Sequence, residues 1–340
     1  MTTGPASTTQ IVAAPPAPSP VQFRRQALVE HCLEGLDPKT RAEYGRALTG
    51  FVAFAAAAYD LDLPAERVLE HWLLALPDGG AANEVALRWR AHLQQRYAPK
   101  TVNQRLWALR SVVKLAKLIG RMGWTLDLRN VPARDYRHAR GIGVGGYRKL
   151  LEANAERHGD SPLGRRNRAM LRLMFDLGLR KASVLSLRVC DVDVAEPDNG
   201  VVRPLVKRRG RHDSTREPRT LPEGTRKALA AWVDAHPFVQ DGDATGPLFV
   251  GLDRAGHHHQ LSPKGAWEVV KDLGKAAGVD ARPHLLRHSA CTHALDMTGG
   301  DVRKVQRFMG HASPATTMIY DDARKDFAGE IAKLIAGRDC

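Results

Sequence analysis

Apolar residues recur at helical spacing along most of this chain, and the breaks in that rhythm mark its joints. From about residue 21 to 127 the period is helical throughout. Behind a start signal at Asp37-Pro38, residues Tyr44, Leu48, Phe51 (or Val52) and Ala55 fall on one face, because a helix returns every third and fourth residue to the same side. Val85, Trp89 and Leu93 make a second stripe. The clearest helix is predicted to open at Thr101, with Gln104 as the return half of a capping box, and to close at Gly120. Its apolar face is Val102, Leu106, Leu109, Val113, Ala116 and Ile119. The tryptophans Trp89, Trp107, Trp124, Trp232 and Trp267 mostly occupy helical core positions and are read as packing residues.

The second half is mixed. A helix over 163–177 turns Met170, Leu173, Met174 and Leu177 inward and stops at Gly178, and a short helix follows through Leu187. Segments 189–194 and 201–206 read as a hairpin, with a third short strand near 219–221. After Thr225 the helical period returns. Ser262-Pro263 and Ser313-Pro314 both pair a capping hydroxyl with a proline suited to the first helical turn. The final amphipathic stretch, 323–336, sets Phe327, Ile331, Leu334 and Ile335 along one face. The expected fold class is mainly α: a helical N-terminal domain, then a mixed α+β domain with a small antiparallel sheet.

Composition sets the boundaries. Residues 1–20 are rich in Pro, Ala, Ser and Thr and carry no charge, so a disordered tail is expected there. The first domain is placed at 21–129 and the second at 147–340. Between them, 130–146 is rich in glycine and arginine and reads as a linker.

Charge narrows the partners. Lys and Arg outnumber Asp and Glu by 51 to 37, a net +14, which favours a polyanion, either nucleic acid or an acidic membrane surface. The longest apolar run, 51–59, is mostly alanine and far short of the roughly 18 residues that a membrane span takes. The N-terminus lacks both the basic start and the leucine-rich core of a secretory signal. The expected setting is therefore the cytoplasm, with DNA rather than membrane as partner. Arg105, Arg110 and Lys114 stand off the apolar face of the helix from Thr101, where a DNA-facing surface and a solvated one are equal readings. Arg137 and Arg140 in the linker suit a strap lying on phosphates. Cys32, Cys190, Cys291 and Cys340 are scattered, so neither a zinc site nor a disulfide framework is indicated. The run His257-His258-His259 follows a glycine and has no second ligand cluster nearby, so no metal is expected there either.

The last third carries the chemistry. Arg180 follows a helix-ending Gly178, while His284 and Arg287 lie three apart directly after Pro283. That spacing puts both side chains on one face of a helix's first turn, where an anion is favoured. His311 and Tyr320 follow. Two guanidinium forks can hold a phosphodiester and meet the charge that develops on pentavalent phosphorus. Tyr320 is then the candidate nucleophile, His284 the candidate base, and His311 a hydrogen-bond donor to a non-bridging oxygen. Lys207, at the end of the second predicted strand, is the candidate proton donor to the departing oxygen. The set needs no metal, nucleotide or other cofactor.

These motifs, in this order, resemble the tyrosine recombinases, the phage-integrase family. The resemblance covers nearly everything from about 21 to 335. The family's G-L-R falls on Gly178-Leu179-Arg180, its H-x-L-R-H on His284 to His288, and its L-G-H with a tyrosine nine residues on falls on Met309-Gly310-His311 and Tyr320. It implies a SAM-like core-binding domain ahead of the catalytic one. It also implies cleavage and rejoining of double-stranded DNA through a 3′-phosphotyrosine, without ATP, by tetramers on two recombination sites. An accessory protein or second recombinase, and docking of the C-terminal helix on a neighbour, belong to the same picture. The biological job would be integration, excision, resolution or transposition, in keeping with a mobile element. Two departures stand out. Ser183 occupies the place of a usual acidic residue, and the segment after Lys207 lacks the family's glycine pair, where Arg208 and Arg209 are expected to meet DNA. Two other readings are a type IB topoisomerase-like relaxing enzyme and a catalytically silent DNA-binding accessory protein.

Overall fold

The computed structural model describes residues 28–59, 79–120, 122–133, 141–195, 200–207, 214–252, 258–322 and 327–336. The expected tail at 1–20, together with Arg137, Arg140, Arg208, Arg209 and His257, lies outside them. The chain divides into two compact units, residues 1–135 and 136–340.

The first unit contains α1 (Leu28–Glu34), α2 (Pro38–Tyr59), α3 (Gly79–Gln94) and α4 (Pro99–Leu118). The apolar faces named above meet in one core, where Phe51 and Trp89 pack edge to face with centroids 5.1 Å apart. Helix α4 opens earlier than the Thr101 capping box implied. Pro99 takes the first turn, Ala98 provides no side-chain cap, and Gln104 instead donates to Glu43 of α2. A proline with its φ already helical starts the helix without needing a reciprocal box. Trp107 and Ile119 are exposed rather than core, and Trp124 and Trp267 are half-buried.

Two asparagines hold the extended segment that follows α4. Asn83 donates to Thr125 O (3.0 Å) and accepts from Asp127 N (2.8 Å). Asn103 donates to Val131 O (2.9 Å) and accepts from Val131 N (2.7 Å). A primary amide presents one donor and one acceptor side by side, so it can pair with backbone as a neighbouring strand would. Arg110 joins in, donating to Leu128 O and to Asn130 Oδ1 (2.8 Å). Its guanidinium is thereby engaged in holding this segment.

The second unit is built round α6 (Pro162–Phe175), whose Met170, Leu171, Leu173 and Met174 are fully buried. It packs against α5 (Gly143–His158), α8 (Glu223–Asp234) and α11 (Pro283–Met297). Asp176 at its end gathers three of these elements. It accepts from Tyr147 Oη (2.9 Å), Arg172 Nη1 (3.1 Å) and Thr225 Oγ1 (2.6 Å). Ser161 caps α6 and Ser262 caps α10 (Pro263–Ala276), each followed by proline.

The sheet is smaller than the hairpin reading implied. Residues 189–191 form a 3₁₀ turn, because Asp191 folds back to accept from Arg188 N (2.7 Å). Strands β1 (Val192–Asp193), β2 (Val201–Val202) and β5 (Arg219–Thr220) make one antiparallel sheet in the order β1-β2-β5. Strands β3 (Leu205–Lys207) and β4 (Ser214–Arg216) pair separately. Helix α7 (Lys181–Leu185) precedes these strands, and α9 (Pro237–Gln240) follows α8. The chain then runs through α12 (Val302–Met309) and α13 (Pro314–Asp322) to α14 (Phe327–Ala336).

Asn103→Ala should lower the stability of the first unit by about 2 kcal/mol, since it strands a buried backbone donor and acceptor at Val131. Urea unfolding checks this. A midpoint unchanged from wild type would mean that the amide pair contributes nothing.

Candidate active site

Four separate elements bring the motif residues of the second unit together. Gly178, at φ 57°, ends the turn after α6 in the left-handed region and delivers Arg180 to the N-cap of α7. Another residue would be strained at this φ, and its Cβ would sit 2.8 Å from Met309 Sδ, so glycine suits the approach of this turn to the end of α12. Pro283 starts α11 and places His284 and Arg287 in its first two turns. Gly310, also left-handed at φ 59°, ends α12 and turns the chain into His311. Tyr320 sits near the end of α13.

The guanidiniums bind backbone carbonyls at these two glycine turns. Arg287 donates to Gly178 O and to Met309 O (2.6 Å), and is itself buried. Arg180, more exposed, donates to Gly310 O (3.1 Å). A helix C-terminus leaves its last carbonyls without intrahelical donors and carries the negative end of the dipole, so it suits cations.

Electrostatics follow from burial and from these cations. Burial pushes the Arg287 guanidinium down to about 10, with Arg180 adding to the effect. It stays protonated at neutral pH. His311 is 8 % exposed and its Nδ1 lies 2.8 Å from the hydroxyl of the fully buried Thr317. Burial, then Arg287 and Arg180, push this imidazole down to about 4. It is therefore a neutral ring able to donate one hydrogen bond. Tyr320 is also 8 % exposed. Burial raises its phenol, while Arg287 and Arg180 act in the opposite direction. Its ring lies 6.0 Å from that of His311, nearly parallel, and packs with buried Cys291, Leu295, Val305 and Met309.

The remaining candidates are placed less closely. His284 is exposed, yet near enough to affect His311 and His288 electrostatically. Lys207 ends β3 opposite Ser214; its side chain lies outside the described residues. Ser183 donates its hydroxyl to Leu205 O (3.0 Å), tying α7 to the strand that ends in Lys207. In the first unit, Lys114 is exposed and the Arg105 guanidinium lies 3.9 Å over the Tyr97 ring.

Sequence reading passed over two neighbours. His288, whose ring meets Tyr320 edge to face at 4.3 Å, was visible only as the last letter of the H-x-L-R-H motif. Arg219, from β5, donates to the neighbouring carbonyls Leu177 O and Phe308 O and had no spacing signal.

Comparisons with known proteins show what the chain is similar to. The phage integrase family profile matches residues 146–326. A tyrosine recombinase of Synechococcus elongatus is 35% identical over 303 residues, covering 88% of this chain and 89% of that protein. A tyrosine recombinase of Synechocystis is 32% identical over 94% of this chain and 98% of its own length. Among solved structures, XerH site-specific recombinase bound to its palindromic difH substrate matches with a TM-score of 0.63 at 16% identity. That match covers 91% of this chain and 94% of the other, and it is a likeness of fold.

The neutral His311 gives a pH signature. Its folded value lies below the ordinary 6.5, so the unfolded chain takes up the proton first as pH falls from 6.5 towards 4. Stability present at neutral pH is lost across that window, by about 2 kcal/mol at pH 5. Urea titrations at pH 7.5 and 5 should show a smaller loss in His311→Gln than in wild type. Identical losses would mean that His311 is not held neutral.

Proposed function

This chain belongs to the phage integrase family of tyrosine recombinases, and we propose that it breaks and rejoins DNA strands with Tyr320 as nucleophile. The observation that carries the residue assignment is the convergence of Arg180, Arg287, His311 and Tyr320 from separate elements onto one pair of glycine turns.

Each group has a task suited to its state. Arg180 and Arg287 grip the non-bridging oxygens of the scissile phosphate and meet the charge that appears as phosphorus becomes pentavalent. His311, neutral, donates a hydrogen bond to the same oxygens. The phenolic oxygen of Tyr320 attacks phosphorus, and its proton passes to His284. The bond from phosphorus to the 5′-oxygen breaks, and that oxygen takes a proton from Lys207. A 3′-phosphotyrosine and a free 5′-hydroxyl result. The hydroxyl of a partner strand then attacks the phosphotyrosine and releases the enzyme. One ester replaces another at each step, so no external energy source enters.

On this reading Arg105, Lys114, Arg137, Arg140, Arg208 and Arg209 contact the DNA backbone. Arg110 serves there by holding the segment at 128–130. Four copies act on two sites in the cytoplasm, as part of a mobile element, with a second recombinase or accessory protein as a further partner. The exposed Ile331, Leu334 and Ile335 of α14 form the face that docks on a neighbouring copy. The relatives' name, tyrosine recombinase, does not favour the topoisomerase or accessory alternatives.

The test is covalent capture from a pool of nicked duplexes randomised in sequence and nick position. Wild type should form a detergent-stable protein–DNA adduct, and Tyr320→Phe none. An adduct that persists in the variant places the nucleophile elsewhere, and none with wild type defeats the reading.

A further inference from the structure

The end of α12 is held by three arginines, of which the proposed mechanism uses two. Arg219 stands on the two-residue strand β5, paired with Val202 of β2. Its Nη1 donates to Phe308 O at 2.6 Å and to Leu177 O at 3.4 Å. With Met309 O taken by Arg287 and Gly310 O by Arg180, three successive carbonyls each receive a different guanidinium. On the other side of the site, Leu177 O and Gly178 O are taken by Arg219 and Arg287 in the same order. Arg219 and Arg287 therefore bridge the same two segments side by side.

We propose that Arg219 is a positioning residue of the phosphate site, setting Arg180 and Arg287 in register through adjacent carbonyls of the same two turns. This rests on the strand-cleavage reading above. The Arg180 and Arg219 guanidiniums flank Gly310: a Cβ built there would lie 3.6 Å from Arg219 Nη2 and 4.0 Å from Arg180 Nη1. Arg219 is itself partly buried, and burial and Arg180 lower its guanidinium while Glu217 acts in the opposite sense. Cations gathered this closely repel one another. What holds them is the set of carbonyls at the negative end of α12, so each guanidinium depends on where the others leave that backbone. Without Arg219, Phe308 O and Leu177 O lose a shared donor. Among the described guanidiniums, the link between the Gly178 turn and the end of α12 is then left to Arg287, and the Gly310 carbonyl to Arg180, the groups that must also meet phosphate. A shift of about 1 Å in such groups costs about a hundredfold in rate.

A double-mutant cycle tests this, using a nicked duplex recovered from the randomised pool with wild-type protein. Arg219→Gln should slow single-turnover cleavage about a hundredfold, with DNA affinity within about threefold of wild type. Arg219→Lys, which keeps a charged donor, should recover about tenfold of that loss. In an Arg180→Lys background the same Gln substitution should cost threefold or less, because the register it protects is already lost. An equal factor in both backgrounds would overturn the proposal, since general weakening of the fold multiplies through. So would cleavage within threefold of wild type, or a loss lying wholly in DNA affinity. If Arg219→Gln shows no cooperative unfolding, Arg219→Lys carries the cycle, with about a tenfold loss that vanishes beside Arg180→Lys. Failure of both variants to fold would make Arg219 a purely structural residue and end the proposal. Adduct formation by wild type in the same series keeps the family chemistry separate from this inference.

Discussion

Three successive carbonyl oxygens, those of Phe308, Met309 and Gly310, organise the candidate active site. They stand at the end of α12, where a helix has acceptors to spare and a negative dipole end. The left-handed Gly310 turns the backbone so that His311 N closes onto Gln306 O (3.0 Å), leaving the three later carbonyls to guanidiniums. Those guanidiniums come from β5, α11 and the turn before α7, elements far apart in the chain. Once each has found its carbonyl, the arginines, the imidazole of His311 and the approach to Tyr320 are placed together.

Among the described residues, the arrangement concentrates positive charge on backbone carbonyls rather than on carboxylates. Backbone carbonyls satisfy buried donors but do not neutralise them, and burial, with Arg180 adding to it, holds Arg287 well below the usual guanidinium range. Burial, with the same cations adding to it, keeps His311 from becoming another cation. Such a site has an unmet demand for an anion, and a phosphodiester passing to a more highly charged transition state meets it progressively.

The departure at Ser183 fits this economy of charge. An acid at that position would offset the nearby arginine; the hydroxyl instead donates to Leu205 O and leaves the local charge unchanged. What it supplies is geometry, a tie between α7, which follows Arg180, and β3, which ends in Lys207. Acidic side chains are used further back. Asp176 collects Tyr147, Arg172 and Thr225 beneath the site and fixes α6 against α5 and α8.

Local pattern alone determined the helices with strong apolar period, the proline starts at Pro263, Pro283 and Pro314, and the glycine stops at Gly178 and Gly310. Each of these rests on a residue's own backbone preference or on which face repeats. The motif residues Arg180, Arg287, His311 and Tyr320 were legible for a related reason: they sit at fixed offsets from those glycines and prolines. Tertiary structure decided the rest. Trp107 looked like core because its spacing is helical, yet whether a face is covered depends on what packs there. The first half of the predicted strand 189–194 gave way to a turn because Asp191 bonds back to Arg188 N, a choice that hydropathy does not register. Arg110, read as a possible DNA contact, is engaged at 128–130, and Arg219, one basic residue among many, reaches two carbonyls 42 and 89 positions away. Charge and period are properties of a residue and its near neighbours. The partner of a long guanidinium depends on how distant backbone segments are brought together, and only the folded chain determines that.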